Sequence, residues 1–171
     1  MSKTTEDCCT PAQAANYFLT RARKESVAIT PMKLLKLVYI GYGWCLTLLG
    51  RKLFKEKIEA WQFGPVIPSL YHEFKSFGPK AIDRFAIEVE YDDTDKVKDI
   101  NIPIVQDPKI IQVLEKVWQT YKEHSAYKLS SITHHRDSAW DKAWKQAPFT
   151  ELEDSLIIKR SKEKIEQLIA N

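Results

Sequence analysis

Apolar residues recur at helical spacing through most of this chain, and three of the periodic runs begin with the same grammar. Thr10-Pro11, Thr30-Pro31 and Asp107-Pro108 each set a capping side chain before a proline whose fixed φ suits the first helical turn. The first run predicts a helix from Pro11 to about Lys24, with Ala15, Phe18, Leu19 and Ala22 inward and a capping box between Thr10 and Gln13. The second, Pro31 to about Leu49 with Gly50 as its stop, is apolar on most of its circumference, which predicts a central helix surrounded by the others. The third runs from Pro108 to about Glu123 with Ile111, Leu114, Val117, Trp118 and Tyr121 inward. Shorter helices are predicted from Ala126 to about His134 and after Ser138, and Ser161 is read as the cap of a last helix bearing Ile165, Leu168 and Ile169.

Two stretches break this period. Phe85, Ile87, Val89 and Tyr91 alternate, Asp92-Asp93-Thr94-Asp95 reads as a turn, and Val97 to Ile102 returns, so a β-hairpin is predicted. The acidic turn is no calcium loop, because the central glycine and terminal glutamate of such a loop are missing. From Trp61 to Gly78 the order W-Q-F-G-P-V-I-P-S-L-Y-H-E-F-K-S-F-G predicts a short buried strand through Trp61 and Phe63, a stop at Gly64-Pro65, and a helix begun by Pro68 and ended by Gly78. The corner and its aromatics are either a recognition surface or core packing, and the sequence leaves both open. The pattern as a whole predicts a predominantly helical α+β chain: residues 11–171 as one compact helical domain around a buried central helix, with a small β-hairpin insertion and a flexible tail over residues 1–10.

A chain of 171 residues can bury roughly 70% of its unfolded surface, so the core needs no staples. Net charge is +3, from 26 basic and 23 acidic residues, which is too balanced to indicate nucleic-acid binding. The local clusters Arg21-Arg23-Lys24, Arg51-Lys52-Lys55-Lys57 and Lys159-Arg160-Lys162-Lys164 read as solvated helix faces. Cys8, Cys9 and Cys45 have no metal spacing, and a reducing cytoplasm suits them. The start M-S-K-T-T-E-D lacks the basic and apolar regions of a signal peptide, and the strongest apolar run, Leu37 to Leu49, is shorter than the roughly 20 residues that span a bilayer.

Candidate chemistry is sparse. No phosphate loop, dinucleotide fingerprint or nucleophile elbow is present, and His72, His124, His134 and His135 have no zinc spacing with the cysteines. His134-His135-Arg136-Asp137 with Asp141 is the one dense polar group, in which His134 and Asp137 would be the base and its orienting carboxylate. Adjacent helical histidines point about 100° apart, and a polar helix end explains the cluster without a reaction, so no enzyme, cofactor or metal site is expected. A helix-turn-helix reading of Pro31 to Leu49 fails because that helix offers Leu, Val, Tyr, Ile, Trp and Cys in place of base-reading side chains. Tyr42, Tyr71, Trp140 and Trp144 suit a protein interface better than base reading, while core packing is the reading of each one singly.

The motifs Met32-Lys33-Leu34-Leu35-Lys36-Leu37-Val38-Tyr39, Leu49-Gly50-Arg51-Lys52-Leu53-Phe54 and Glu59 to Tyr71 occur in the order of a known family, followed by Ser125 to His134 and Ser138-Ala139-Trp140. From about Ala12 to Trp144 the chain resembles the Panacea antitoxin domain, the SocA-like or GepA phage-associated family. The resemblance implies a mostly helical bacterial or phage antitoxin that neutralises a cognate toxin by direct binding, the toxin being encoded in the same operon. Alternatives are a proteolytic adaptor that delivers the toxin, with a protease or chaperone as further partner, or a phage counter-defence protein binding a host factor. It implies no catalytic set; its motif positions here, Trp61, Phe63, Gly64, Pro65, Val66, Tyr71, His134, Trp140 and Trp144, are candidates for toxin binding or scaffold.

Overall fold

The structure is a computed structural model that describes residues 9–171. In chain order its elements are α1 (Pro11–Glu25), α2 (Pro31–Leu49), β1 (Glu59–Trp61), β2 (Gly64–Val66), α3 (Pro68–Phe74) with a 3₁₀ turn (Lys75–Phe77), β3 (Glu88–Tyr91), β4 (Val97–Asn101), α4 (Pro108–Tyr121), α5 (Ala126–Thr133), α6 (Ala139–Gln146) and α7 (Asp154–Ile169). The chain is thus predominantly helical, with two separate antiparallel two-stranded sheets among the described residues.

Threonine and aspartate caps do what their side chains require. Thr10 accepts from the Gln13 N–H and Gln13 answers to the Thr10 N–H, while Thr30 and Asp107 cap α2 and α4 ahead of their prolines. The expected tail falls mostly on residues 1–8, outside the described range, and with them Cys8; Cys9 is buried and Thr10 is the α1 cap. Burial pushes the Cys45 thiol up to about 12, with Cys9 adding to it.

Helix α2 is the hub, packed by α1, α4, α5, α7 and β2. Its 19 residues are long and apolar enough, by length and composition, to cross a membrane, and here neighbouring helices take that place and bury most of it. Gly43 explains the closeness of α7, because a Cβ there would stand 2.3 Å from the Ser161 Oγ. Tyr42, for which the sequence left interface and core both open, is core, its hydroxyl donating to Asp154.

Three sequence expectations shift. In α4 the inward residue is Ile110 rather than Ile111, so the buried stripe is Ile110, Val113, Leu114, Val117, Trp118 and Tyr121. Helix α7 starts at Asp154, which leaves Ser161 in its interior and not at its cap. Ile157 is its buried anchor, whereas Leu168 and Ile169 are exposed; the run Lys159 to Lys164 masks the stripe that begins two turns earlier. Five of the eleven cations in the basic clusters pair with carboxylates: Arg21 with Glu25 and Glu115, Arg51 with Asp107, Lys52 with Asp154, Lys57 with Glu151 and Arg160 with Glu163.

The insertion forms as read, β3 pairing with β4 with a bulge beside Glu90 and Tyr91. Its base is fixed by one buried side chain. Asn16 of α1 donates to the Ala86 carbonyl at 3.0 Å and the Pro103 carbonyl at 2.9 Å, and accepts from the Ala86 N–H at 2.8 Å. Because Asn16→Ala strips three buried backbone groups of their partner, it is expected to lower stability in urea denaturation by about 2 kcal/mol. Hydrogen exchange at Ala86 should accelerate in the same variant.

Candidate functional site

The segment that begins at Glu59 is a tight hairpin in place of a strand and a stop. Ala60 pairs with Pro65 and Trp61 with Gly64, so Gln62 and Phe63 are the turn and Gly64 opens β2. Gly64, the first residue of β2 after the turn, holds φ +113°, a conformation that L side chains rarely adopt. Phe63 is consequently 64% exposed at the tip and not buried as the alternation suggested. Pro65 lies on the outer strand, where its missing N–H does no harm. The other edge, β1, is covered by residues 149–152: Phe149 N–H donates to Ala60 O, Ala60 N–H to Thr150 O, and Leu152 N–H to Ile58 O.

Under this hairpin stands Lys36, on the face of α2 that carries β2. It is 2% exposed, and its Nζ donates to the Pro65 carbonyl at 3.0 Å. A Cβ at Gly64 would lie 2.6 Å from that Nζ, so the glycine is what lets the ammonium reach the hairpin. Burial pushes the Lys36 amine down to about 7. Below pH 7 the amine is protonated in both folded and unfolded chains, whereas from about 7 to 10.5 the unfolded chain alone holds the proton. Stability should therefore rise with pH above 7, by at most about 1.4 kcal/mol per pH unit. Urea denaturation of the chain and of Lys36→Met between pH 6.5 and 8.5 checks this, since the variant should lose that slope while the opposing Cys45 contribution cancels in the difference.

Helices α5 and α6 close on the hairpin from the side. Ser130 Oγ donates to Phe63 O at 3.3 Å, the Cβ of His134 lies 3.5 Å from where a Gly64 Cβ would be, and Trp140 Nε1 donates to Trp61 O at 2.7 Å. The indole of Trp61 sits 4.8 Å from Tyr71 and 5.4 Å from Phe149, between ring centroids, and its Nε1 donates to Glu59. Trp140 stacks on Trp144 at 5.9 Å and meets His134 edge-on at 5.0 Å. Trp61, Tyr71, His134, Trp140 and Trp144 are half-buried, Phe63 and Phe149 are exposed, and Gly64, Pro65 and Val66 are buried beneath them. The nine positions expected from sequence thus gather around one hairpin, divided between a face of aromatics and its support.

Three participants escaped the sequence reading as site residues. Lys36 was legible as a cation on an otherwise apolar helix face, Ser130 as part of a quoted motif, and Phe149 carried no signal because it joins through a loop held at φ +66°. The histidine cluster, by contrast, does not assemble a dyad. His134 caps α5 with its Nδ1 against Ser130, His135 Nδ1 meets the Arg136 carbonyl, and Asp141 takes the Asp137 N–H and the Lys145 ammonium. Among the described residues no hydrogen bond joins His134 to Asp137, and no three His, Cys, Asp or Glu side chains group as metal ligands.

The fold is thus a helical scaffold that carries half-buried and exposed aromatics around a braced hairpin. The family model described as antitoxin SocA-like, Panacea domain, matches residues 34–141, which takes in α2, the hairpin, α4, α5 and the start of α6; the chain belongs to this family. It is 35% identical over 130 residues to the antitoxin SocA of Caulobacter vibrioides (strain NA1000 / CB15N), an alignment covering 74% of this chain and 66% of that protein. The chain therefore spans about two thirds of the length of the curated relative it matches. No solved structure matches it.

Proposed function

We propose that this protein is an antitoxin of a bacterial or prophage toxin–antitoxin system, acting in the cytoplasm and neutralising a cognate toxin by direct binding through the aromatic face around the β1–β2 hairpin. The observation that carries the reading is convergence: two ring groups, Trp61 with Tyr71 and Phe149, and Trp140 with Trp144, meet at a hairpin that exposes Phe63 at its tip and whose backbone is pinned by Lys36, Ser130 and Trp140. Rigid aromatics lose little entropy on binding, and a pre-formed backbone lowers the ordering penalty of association.

In this mechanism the toxin covers Phe63 and Phe149 and is held stoichiometrically, with no chemical step. The histidine at the α5 end contributes by orienting Trp140, not by proton transfer. Co-expression with the adjacent reading frame should restore growth that this frame abolishes alone, and the two products should co-purify as a complex of nanomolar affinity, on the order expected for roughly 1,600 Å² of well-packed interface. Growth rescue without a detectable complex, or rescue that needs a host protease, would replace neutralisation by delivery to proteolysis. His135→Gln should leave rescue intact, and His134→Gln should weaken it only as far as Trp140 loses its orientation; loss of rescue in either variant with folding and complex intact would favour acid–base chemistry at this cluster.

A further inference from the structure

The β3–β4 ribbon is a second surface, and among the described residues its strands pair with no other strand. Register places Val89 opposite Ile100 and Tyr91 opposite Val97, while Glu90 faces Asp99 and Glu88 faces Asn101. Paired residues share a side of a sheet, so one side is mainly apolar and the other carries carboxylates, of which Glu90 has Lys98 at 4.0 Å and Glu88 accepts from Thr10. On the apolar side Ile87, Tyr91, Val97, Ile100 and Ile102 are 45–61% exposed. A lone two-stranded ribbon is marginal in water, and this one is fixed at its base by Asn16 while neither edge pairs with another strand among the described residues.

Its charge says what could cover it. Between Phe85 and Ile104 stand six carboxylates (Glu88, Glu90, Asp92, Asp93, Asp95, Asp99) against two lysines, in a chain whose net charge is +3. The apolar side continues at the foot into an open groove of about 530 Å³, lined by Phe85, Ile87 and Ile102 with Glu73 and Asp83 at its rim. The cations there are already engaged: Arg84 pairs with Glu73, and Arg23 lies over Phe85 and donates to the Asp83 carbonyl. A second copy docking ribbon to ribbon would bring two acidic rims together, which electrostatics disfavours.

We infer that the β3–β4 ribbon is a docking arm for an extended segment of another protein, one that carries apolar side chains flanked by lysine or arginine and adds as a strand to an open edge. Apolar contacts on one side and carboxylates on the other select for a basic, alternating strand. The inference is independent of the partner assigned to the aromatic face.

The test uses the full chain, labelled for amide NMR, and two synthetic peptides of roughly eight residues, the length of an ordinary strand: one alternating valine with lysine, one alternating valine with glutamate. The lysine peptide should shift amides of residues 87–102, and Ile100→Glu should weaken it by about tenfold or more without unfolding the chain, since Ile100 is exposed. The double variant Glu90→Lys with Asp99→Lys should reverse the preference toward the glutamate peptide. Equal binding of both peptides, binding of neither, or shifts confined to residues outside the ribbon would overturn the assignment. A dimer in sedimentation velocity that Ile100→Glu dissolves would overturn it in favour of a second copy.

Discussion

Gly64→Val is expected to lower the stability of the folded chain by about 3 kcal/mol, among the larger effects of a single substitution here. Two causes add. The residue sits at φ +113°, where a β-branched side chain is strained, and its new Cβ would lie 2.6 Å from the Lys36 Nζ, itself held by the Pro65 carbonyl. The ammonium cannot step aside into water, because Lys36 is enclosed. Gly64→Ala should lose roughly 2 kcal/mol, and combining it with Lys36→Ala should show a favourable coupling of about 1 kcal/mol, since the clash disappears while the backbone strain stays. Urea denaturation of the two single variants and the double variant reads both quantities. A Gly64→Val chain with unchanged stability and no partner binding would make the corner a contact surface and not a brace.

Phe63→Asp is expected to leave stability within about 0.5 kcal/mol and to weaken partner binding by about 100-fold, or roughly 2.8 kcal/mol. The side chain is 64% exposed at the hairpin tip, so its removal opens no cavity, whereas an aspartate on an apolar contact would be buried unpaired in the complex. Phe149, 62% exposed at the other side of Trp61, should behave likewise in Phe149→Asn, with a slight gain in stability because asparagine tolerates its φ of +66°. Trp61→Ala should fail in both readouts, being packed between Tyr71 and Phe149 and bonded to Glu59. Titration calorimetry against the product of the adjacent reading frame, paired with denaturation, separates the two behaviours.

The helical frame was open to sequence reading because its signals are local. Thr10, Thr30 and Asp107 before prolines mark helix starts within one turn, and the near-uniform apolarity of Pro31 to Leu49 marks a helix that needs neighbours on all sides. What failed depends on contacts between distant segments. Gly64 and Pro65 read as a stop because a three-residue strand carries no period of its own; Lys36 and residues 149–152 are what hold it in place. Ser161 passed for a cap because serine favours caps, while in the fold it packs in the narrow space over Gly43. Tyr42 and Tyr71 are indistinguishable in sequence, yet one is core and the other lies on the aromatic face. The motif positions were found through family resemblance, and their division into face and support is a matter of tertiary packing.

Hydrogen exchange of this chain, alone and with the product of the adjacent reading frame, bears most directly on direct binding through the hairpin face. The account expects a complex in which protection rises around residues 61–64, 71–72 and 140–150, where Trp61, Phe63, Tyr71, Trp140, Trp144 and Phe149 lie, with α1 unchanged. No complex, or a complex whose new protection falls elsewhere while these segments exchange as in the chain alone, would contradict it.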